Sequence, residues 1–286
     1  MRDSGKITLL HVLAVISLTV LVVMLVLPAF NSGHPMPNRA VCMSYLSSIN
    51  KALVLYRSAN DDQYPWLYDT TPGWETTKVG TNRNVDPHGP NDDPNNPKAR
   101  SITALMFLLV RSDQSPGIFR CPGDKDSIID DNVKAGADDG DILKGEYYWD
   151  FSKPENVSYS WQAPMSNAGR FKQGIAGNDE PHMVILADMT PRYGGNQPWK
   201  PMPLDDDTSR ADIKKQLSHN HAGKQVNLLR VAGNVKAVKR PDVGIGKDNI
   251  YTTFGADFSK RRAATSTKLS DHVHKRDTFL IGPVGR

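Results

Sequence analysis

Residues 7–27 read ITLLHVLAVISLTVLVVMLVL, an apolar run broken only by small hydroxyls and by His11, and closed by Pro28. A helix rises about 1.5 Å per residue, so this run reaches about 30 Å, the thickness of a bilayer's hydrocarbon core. The reading is a transmembrane anchor over residues 7–29. A cleavable secretory signal has an apolar region of only about 7 to 15 residues and a small-x-small site after it, and neither condition is met well. A buried core helix would be equally greasy, but a run at the N-terminus behind Arg2 and Lys6 is more economically a signal anchor. No Lys or Arg follows until Arg39. The positive charge therefore places residues 1–6 in the cytoplasm and the body beyond the inner membrane, in single-pass topology.

Outward from the anchor, Gly33, Pro35 and Pro37 interrupt any continuing helix, which makes residues 30–37 a hinge. Residues 38–286 are long enough for an exported domain with a core of its own. From residue 38 to 59 the apolar positions Val41, Tyr45, Ile49, Ala52, Leu53 and Tyr56 recur at three- and four-residue steps. That is one face of an amphipathic helix. Asn60-Asp61-Asp62 and Tyr64-Pro65 end it, because Asn and Asp favour turns and a residue before proline leaves the helical region. Residues 69–99 are rich in Pro, Gly, Asn and Asp and read as a long exposed loop. Oxygen-donor composition alone would let that loop hold calcium, without the spacing of a known calcium loop. SITALMFLLVR, residues 101–111, reads as a short buried helix capped by Ser101. In the acidic stretch that follows, the alternate positions before Gly140 are Asp139, Ala137 and Ala135, so an EF-hand fails.

The second half changes texture. EYYWDF, VSYSWQA, MVILADM, QVNLLRV and NVKAV are short β-branched or aromatic runs separated by Gly, Pro and Asn, the pattern of strands. Helices first and strands later imply an α+β domain, with the amphipathic helix packed on an antiparallel sheet and long loop insertions. IYTTF and TFLIG read as edge strands, and residues 260–274 as a basic surface loop. The net charge of +4 is mixed in sign and the aromatics are dispersed, so nucleic acid is not an expected partner. The two cysteines, Cys42 and Cys121, suit either one disulfide in an exported chain or two buried thiols.

Chemistry is sparsely signalled. His219/His221 and His272/His274 form two His-x-His pairs, which suit zinc or copper when they alternate along a strand. Both pairs lie in polar, loop-like stretches, so surface or turn-capping histidines are the reading taken. Gly223 and Gly233 would supply positive φ where the chain reverses. There is no Gly-x-Ser-x-Gly and no cysteine with a histidine nearby in sequence. Asp188 reads as a strand-end carboxylate satisfying turn amides. No catalytic residue, metal ligand or cofactor is expected. The rival from another class is a membrane-tethered metal-dependent hydrolase or carbohydrate-binding domain built on His219, His221 and neighbouring acids.

Several segments together resemble the prepilin-like or pseudopilin-like proteins of planctomycete-type bacteria, whose C-terminal domain carries an H-X9-DG motif. Ile7-Thr8-Leu9-Leu10 with the run to Pro28 resembles the prepilin segment, and Arg39-Ala40-Val41-Cys42 the cysteine-bearing helix. Phe119-Arg120-Cys121-Pro122 resembles the second cysteine site. Ser218-His219-Asn220-His221-Ala222-Gly223, with Gly233-Asn234-Val235, resembles the hairpin motif. The resemblance implies a pilin-like fold and a non-enzymatic structural or interaction role, related to type II secretion or type IV pilus components. It implies the lipid bilayer, other pilin-like subunits or secretion-apparatus proteins as partners of a periplasmic domain. The chain departs from the pattern at Lys6, where the family has the processing glycine, at His11 in place of a glutamate, and at Ala232 in place of the motif's aspartate. Those replacements touch processing and filament assembly rather than anchor and fold, so a solitary anchored binding protein is the third reading.

Overall fold

Apolar side chains at helical spacing after Pro37 need a surface to cover, and an antiparallel sheet supplies it. The computed structural model describes residues 12–21, 24, 36–65, 79, 101–130, 148–162, 180–190, 202, 204–254, 261–263, 278 and 280–282. Its contacts divide the chain into two compact units, Met1–Pro37 and Asn38–Arg286. In the first, residues 12–21 form helix α1, exposed along its whole length. Among the described residues no helix is long and apolar enough to cross a membrane. The rest of the expected anchor, with Lys6, Ile7, His11 and Pro28, lies outside them, as does most of the loop over residues 69–99.

Helix α2 spans Met36–Ala59. It opens inside the expected hinge because Pro37 falls in its first turn, where a missing N–H breaks no hydrogen bond. Its buried face is Cys42, Leu46, Ile49, Ala52 and Leu53. Val41, Tyr45 and Tyr56, expected on that face, flank it half-buried. Ile49, Ala52 and Leu53 are buried as expected, while Cys42 and Leu46 take the places of Val41 and Tyr45. The helix ends at the Asn60-Asp61-Asp62 turn, with Asp61 and Asp62 in the left-handed region at φ 50° and 60° and Arg57 paired to Asp62.

Helix α3, Ile102–Arg111, starts at Ser101, whose Oγ accepts from the Thr103 amide at 3.2 Å. Every residue from Ile102 to Val110 is buried. The sequence predicts a strand over EYYWDF, and its described part, residues 148–151, is irregular instead. Its aromatics serve packing rather than pairing. The Phe151 ring meets Phe107 at 5.1 Å and Phe119 at 5.4 Å, both edge-on, while Arg111 stacks 3.6 Å over Trp149.

The main sheet is antiparallel throughout, built from β1 (Tyr159–Gln162), β2 (Val184–Asp188), β3 (Val226–Arg230) and β4 (Val235–Val238). These four form a meander, and β7 (Leu280–Ile281) returns to pair with β1, so the order is β4-β3-β2-β1-β7. Register is set by Ser160 opposite Ala187 and by Asn227 opposite Ala237. The short strands β5 (Thr252–Phe254) and β6 (Arg261–Ala263) pair with each other in a second sheet. IYTTF therefore does not join the edge of the main sheet, and part of the expected basic loop is a strand. TFLIG supplies the edge strand as expected.

Two apolar clusters lie against the main sheet. Tyr159, Trp161, Ile185, Leu186 and Leu229 pack with the buried faces of α2 and α3. Val184, Ala187, Val226 and Leu228 pack with Leu217, Ile250 and Tyr251. With both faces covered, β1 and β2 are buried at every position. That explains why VILAD reads as a continuous apolar run rather than an alternating one. The protein is thus an α+β fold around an antiparallel sheet.

Candidate functional site

Polar groups gather where α2, the turn after Phe119 and the C-terminal end of β2 meet. Cys42 stands on the buried stripe of α2. Cys121 follows the 3-10 turn Pro116–Phe119, which Ser115 caps by accepting from Gly117 N. The two are joined as a disulfide with Cα atoms 5.2 Å apart, and both are fully buried. Of the two states the sequence leaves open, bonded or free, the chain takes the first. Tyr159 Oη donates to the Cys42 carbonyl at 3.5 Å.

The second component is the 3-10 turn His219–His221. Ser218 caps it by accepting from the Asn220 amide at 3.2 Å. The chain then leaves through two left-handed residues, Ala222 at φ 56° and Gly223 at φ 66°. Gly223 carries the positive φ expected of it. This turn lies against the Cys121-Pro122-Gly123 segment so closely that a Cβ on Gly123 would overlap the Asn220 carbonyl and come 3.0 Å from His221 Nδ1. Only glycine permits that approach.

Consequently His221 is carried inward, its side chain 7% exposed, while His219 is exposed. Three groups converge on His221 Nε2. Asn227 Nδ2 is 2.7 Å away, Asp188 Oδ2 is 3.3 Å away and Cys121 Sγ is 3.7 Å away. Gln225 Nε2 donates to Asn227 Oδ1 at 3.1 Å. In that arrangement the Asn227 amide donates to Nε2 and the ring proton is on Nδ1, an assignment drawn from the network.

Asp188 is completely buried at the end of β2. Its Oδ2 accepts from the Asn227 backbone N–H at 2.7 Å, and its Oδ1 accepts from Asn220 Nδ2 at 3.4 Å. It stands at the strand end as expected, but the groups it takes up are the N–H of Asn227 in β3 and the Asn220 side chain rather than turn amides. Its charge reaches two phenols. Burial first, and then Asp188, hold Tyr251 well above the ordinary tyrosine range; Tyr159 is raised by burial and then by Asp188, Tyr45 and Asp124. Tyr251 Oη donates to the Asp188 carbonyl at 2.8 Å, which is the bond a neutral phenol makes.

The sequence offers no cysteine with a histidine nearby, and the fold corrects this. Cys42, Cys121 and His221 present sulfur and nitrogen atoms all within 4.8 Å of one another. Asp188 lies against His221 Nε2 at the edge of that group. The signal missing from the sequence is distance along the chain, since 100 residues separate Cys121 from His221. The pairing His219/His221, by contrast, builds nothing, because one ring is outside and the other inside. His272 and His274 lie outside the described residues.

The other half of the His-Gly motif closes the β3–β4 turn. Gly233 has φ 81°, and Ala232 precedes it on the surface. Asn50 of α2 donates to the Gly233 carbonyl at 3.2 Å, and a Cβ on Gly233 would come 3.1 Å from that same amide. The motif thus holds α2 to the sheet at both ends: through His221 against the disulfide and through Gly233 against Asn50. Comparison of the chain with protein-family models, with curated proteins and with solved structures finds no match.

Proposed function

We propose that this chain is a membrane-anchored, pilin-like structural or interaction protein, related to type II secretion or type IV pilus components, whose exported body works by contact rather than catalysis. The observation that carries the reading is the exposure of α1. Val12, Leu13, Val15, Ile16, Leu18, Val20 and Leu21 are between 44% and 64% exposed. An apolar helix left uncovered on all sides is stable in lipid or against a partner, not in water. The apolar run from residue 7 to 27 matches the thickness of a bilayer. The disulfide adds to this, because such bonds persist in oxidising compartments beyond the cytoplasm. The His-Gly motif is occupied with internal hydrogen bonds, which suits a fold-holding role.

Membrane fractionation with a carbonate wash tests the anchor, and a C-terminal alkaline phosphatase fusion tests the topology. The expected result is a washed-membrane protein with an active fusion. Full-length protein recovered from the cytosol without detergent overturns the proposal. Assembly is a separate step, since Lys6 and His11 replace the residues that processing and subunit pairing use in the resembling family. Mass spectrometry of the native N-terminus distinguishes the cases: a processed, methylated Ile7 marks a filament subunit, and an intact Met1 marks a solitary anchored protein.

A further inference from the structure

The cluster at the end of β2 contains the donor set of a metal site, locked shut by the bond between two of its members. Cys121 Sγ to His221 Nε2 is 3.7 Å and His221 Nε2 to Asp188 Oδ2 is 3.3 Å. A tetrahedral zinc ion with Zn–S of about 2.3 Å and Zn–N of about 2.0 Å sets the sulfur-to-nitrogen separation at about 3.6 Å. The edge between Cys121 and His221 is already in place. The edge between the two sulfurs requires them to part to about 3.8 Å, which only reduction allows.

We propose that reducing the Cys42–Cys121 disulfide converts this cluster into a zinc-type site, ligated by Cys42 Sγ, Cys121 Sγ and His221 Nε2 once Asn227 gives up its bond to that nitrogen, with water in the fourth position and the Asp188 carboxylate beside it. The reductant is a dithiol: it gives two electrons and two protons to the S–S bond, leaving two thiols, and is itself oxidised to a disulfide. The divalent ion then displaces both thiol protons to solvent. Its two charges are cancelled by the two thiolates, so the buried cluster keeps only the charge of Asp188 that the fold already accommodates. Bound metal joins the same two elements, α2 and the turn after Phe119, that the disulfide joins. The staple therefore survives in a reducing medium, where a disulfide does not. This inference is independent of how the chain is anchored.

The full-length chain, in detergent, is reduced with a phosphine, freed of it under anaerobic conditions, and titrated with Co2+ and then Zn2+. One Co2+ per chain is expected, with the near-ultraviolet sulfur-to-cobalt charge-transfer band and the visible bands of a tetrahedral ion, both abolished by Zn2+. The chain has no cysteines other than these two, so the charge-transfer band reports this site and no other. The oxidised protein should give neither band. His221→Ala and Asp188→Asn are each expected to weaken Co2+ by at least about tenfold, whereas His219→Ala, at the exposed end of the same turn, should leave it unchanged. If reduction unfolds the chain, Zn2+ must restore its melting transition. A reduced protein that shows no charge-transfer band, binds Co2+ equally well as His221→Ala, or stays unfolded with Zn2+ overturns the proposal.

Discussion

Helices α1 and α3 are written in nearly the same alphabet and meet opposite fates. VLAVISLTVL, residues 12–21, is exposed at every position, and ITALMFLLV, the first nine residues of α3, is buried at every position. Apolar composition therefore says that a segment must be covered, and something else says by what. For α3 the cover is internal: the stripe of α2, the Phe107, Phe119 and Phe151 rings, and the inner face of the sheet. For α1 it is proposed to be lipid. The comparison can be attacked from the α3 side by removing its cover, and from the α1 side by showing that α1 needs none from its own chain.

The largest effect is expected from the staple that holds α2 over α3. Cys42→Ser with Cys121→Ser opens a loop with a sequence separation of 79, and the chain-entropy relation puts the loss at about 4.5 kcal/mol. Thermal unfolding of the double variant, followed by circular dichroism, should show a much lower Tm. An unchanged Tm would mean that α2 is held by its apolar stripe alone. Next comes the buried helix itself. Leu109 is fully buried, and Leu109→Ala should cost about 3 kcal/mol through lost transfer energy and the cavity left behind. Denaturant unfolding at constant m-value checks it, and a loss under about 1 kcal/mol would mean that α3 is not the core element described.

The polar cluster under α2 gives a pH-dependent effect of smaller size. Tyr159 and Tyr251 are raised in the folded chain by burial and by Asp188. In the unfolded chain they lose their protons near pH 10, while the folded chain still holds them. Their contribution is therefore whole below about pH 10 and falls as pH rises through the folded values, by about 1.4 kcal/mol per pH unit for each phenol. Stability measured from pH 8 to 11 should bend downward near pH 10. Tyr251→Phe should make that bend shallower, and a bend unaffected by it would show that the phenol is not the titrating group.

What the sequence made legible follows from which forces are local. Ser101 as a cap, Asn60-Asp61-Asp62 as a stop and Gly223 and Gly233 at positive φ are all decided within a few residues, and each is where the pattern put it. Only the first turns of the α2 stripe are offset, Cys42 and Leu46 in place of Val41 and Tyr45, where the disulfide to a residue far along the chain holds Cys42 inward. EYYWDF reads as a strand, yet its described part, residues 148–151, is irregular, because aromatic content reports a demand for packing, which Trp149 and Phe151 satisfy without a ladder. The His221 cluster was illegible for the same reason on a larger scale. Its members come from α2, the turn after Phe119, β2 and the turn before β3, and only the meander brings them together.

The smallest expected effect is the sharpest test of the difference between α1 and α3. Leu18 is 63% exposed, so truncating it removes no contact that burial made, and surface changes of this kind usually fall within about 0.5 kcal/mol. Leu18→Ala should therefore leave the unfolding of the body, measured in detergent, where it was, while Leu109→Ala lowers it under the same conditions. The two substitutions delete the same atoms from helices of the same character, so their difference isolates the cover and nothing else. A loss from Leu18→Ala comparable to that from Leu109→Ala would place α1 against protein rather than lipid. The distinction drawn from exposure would then fail, and the anchor reading with it.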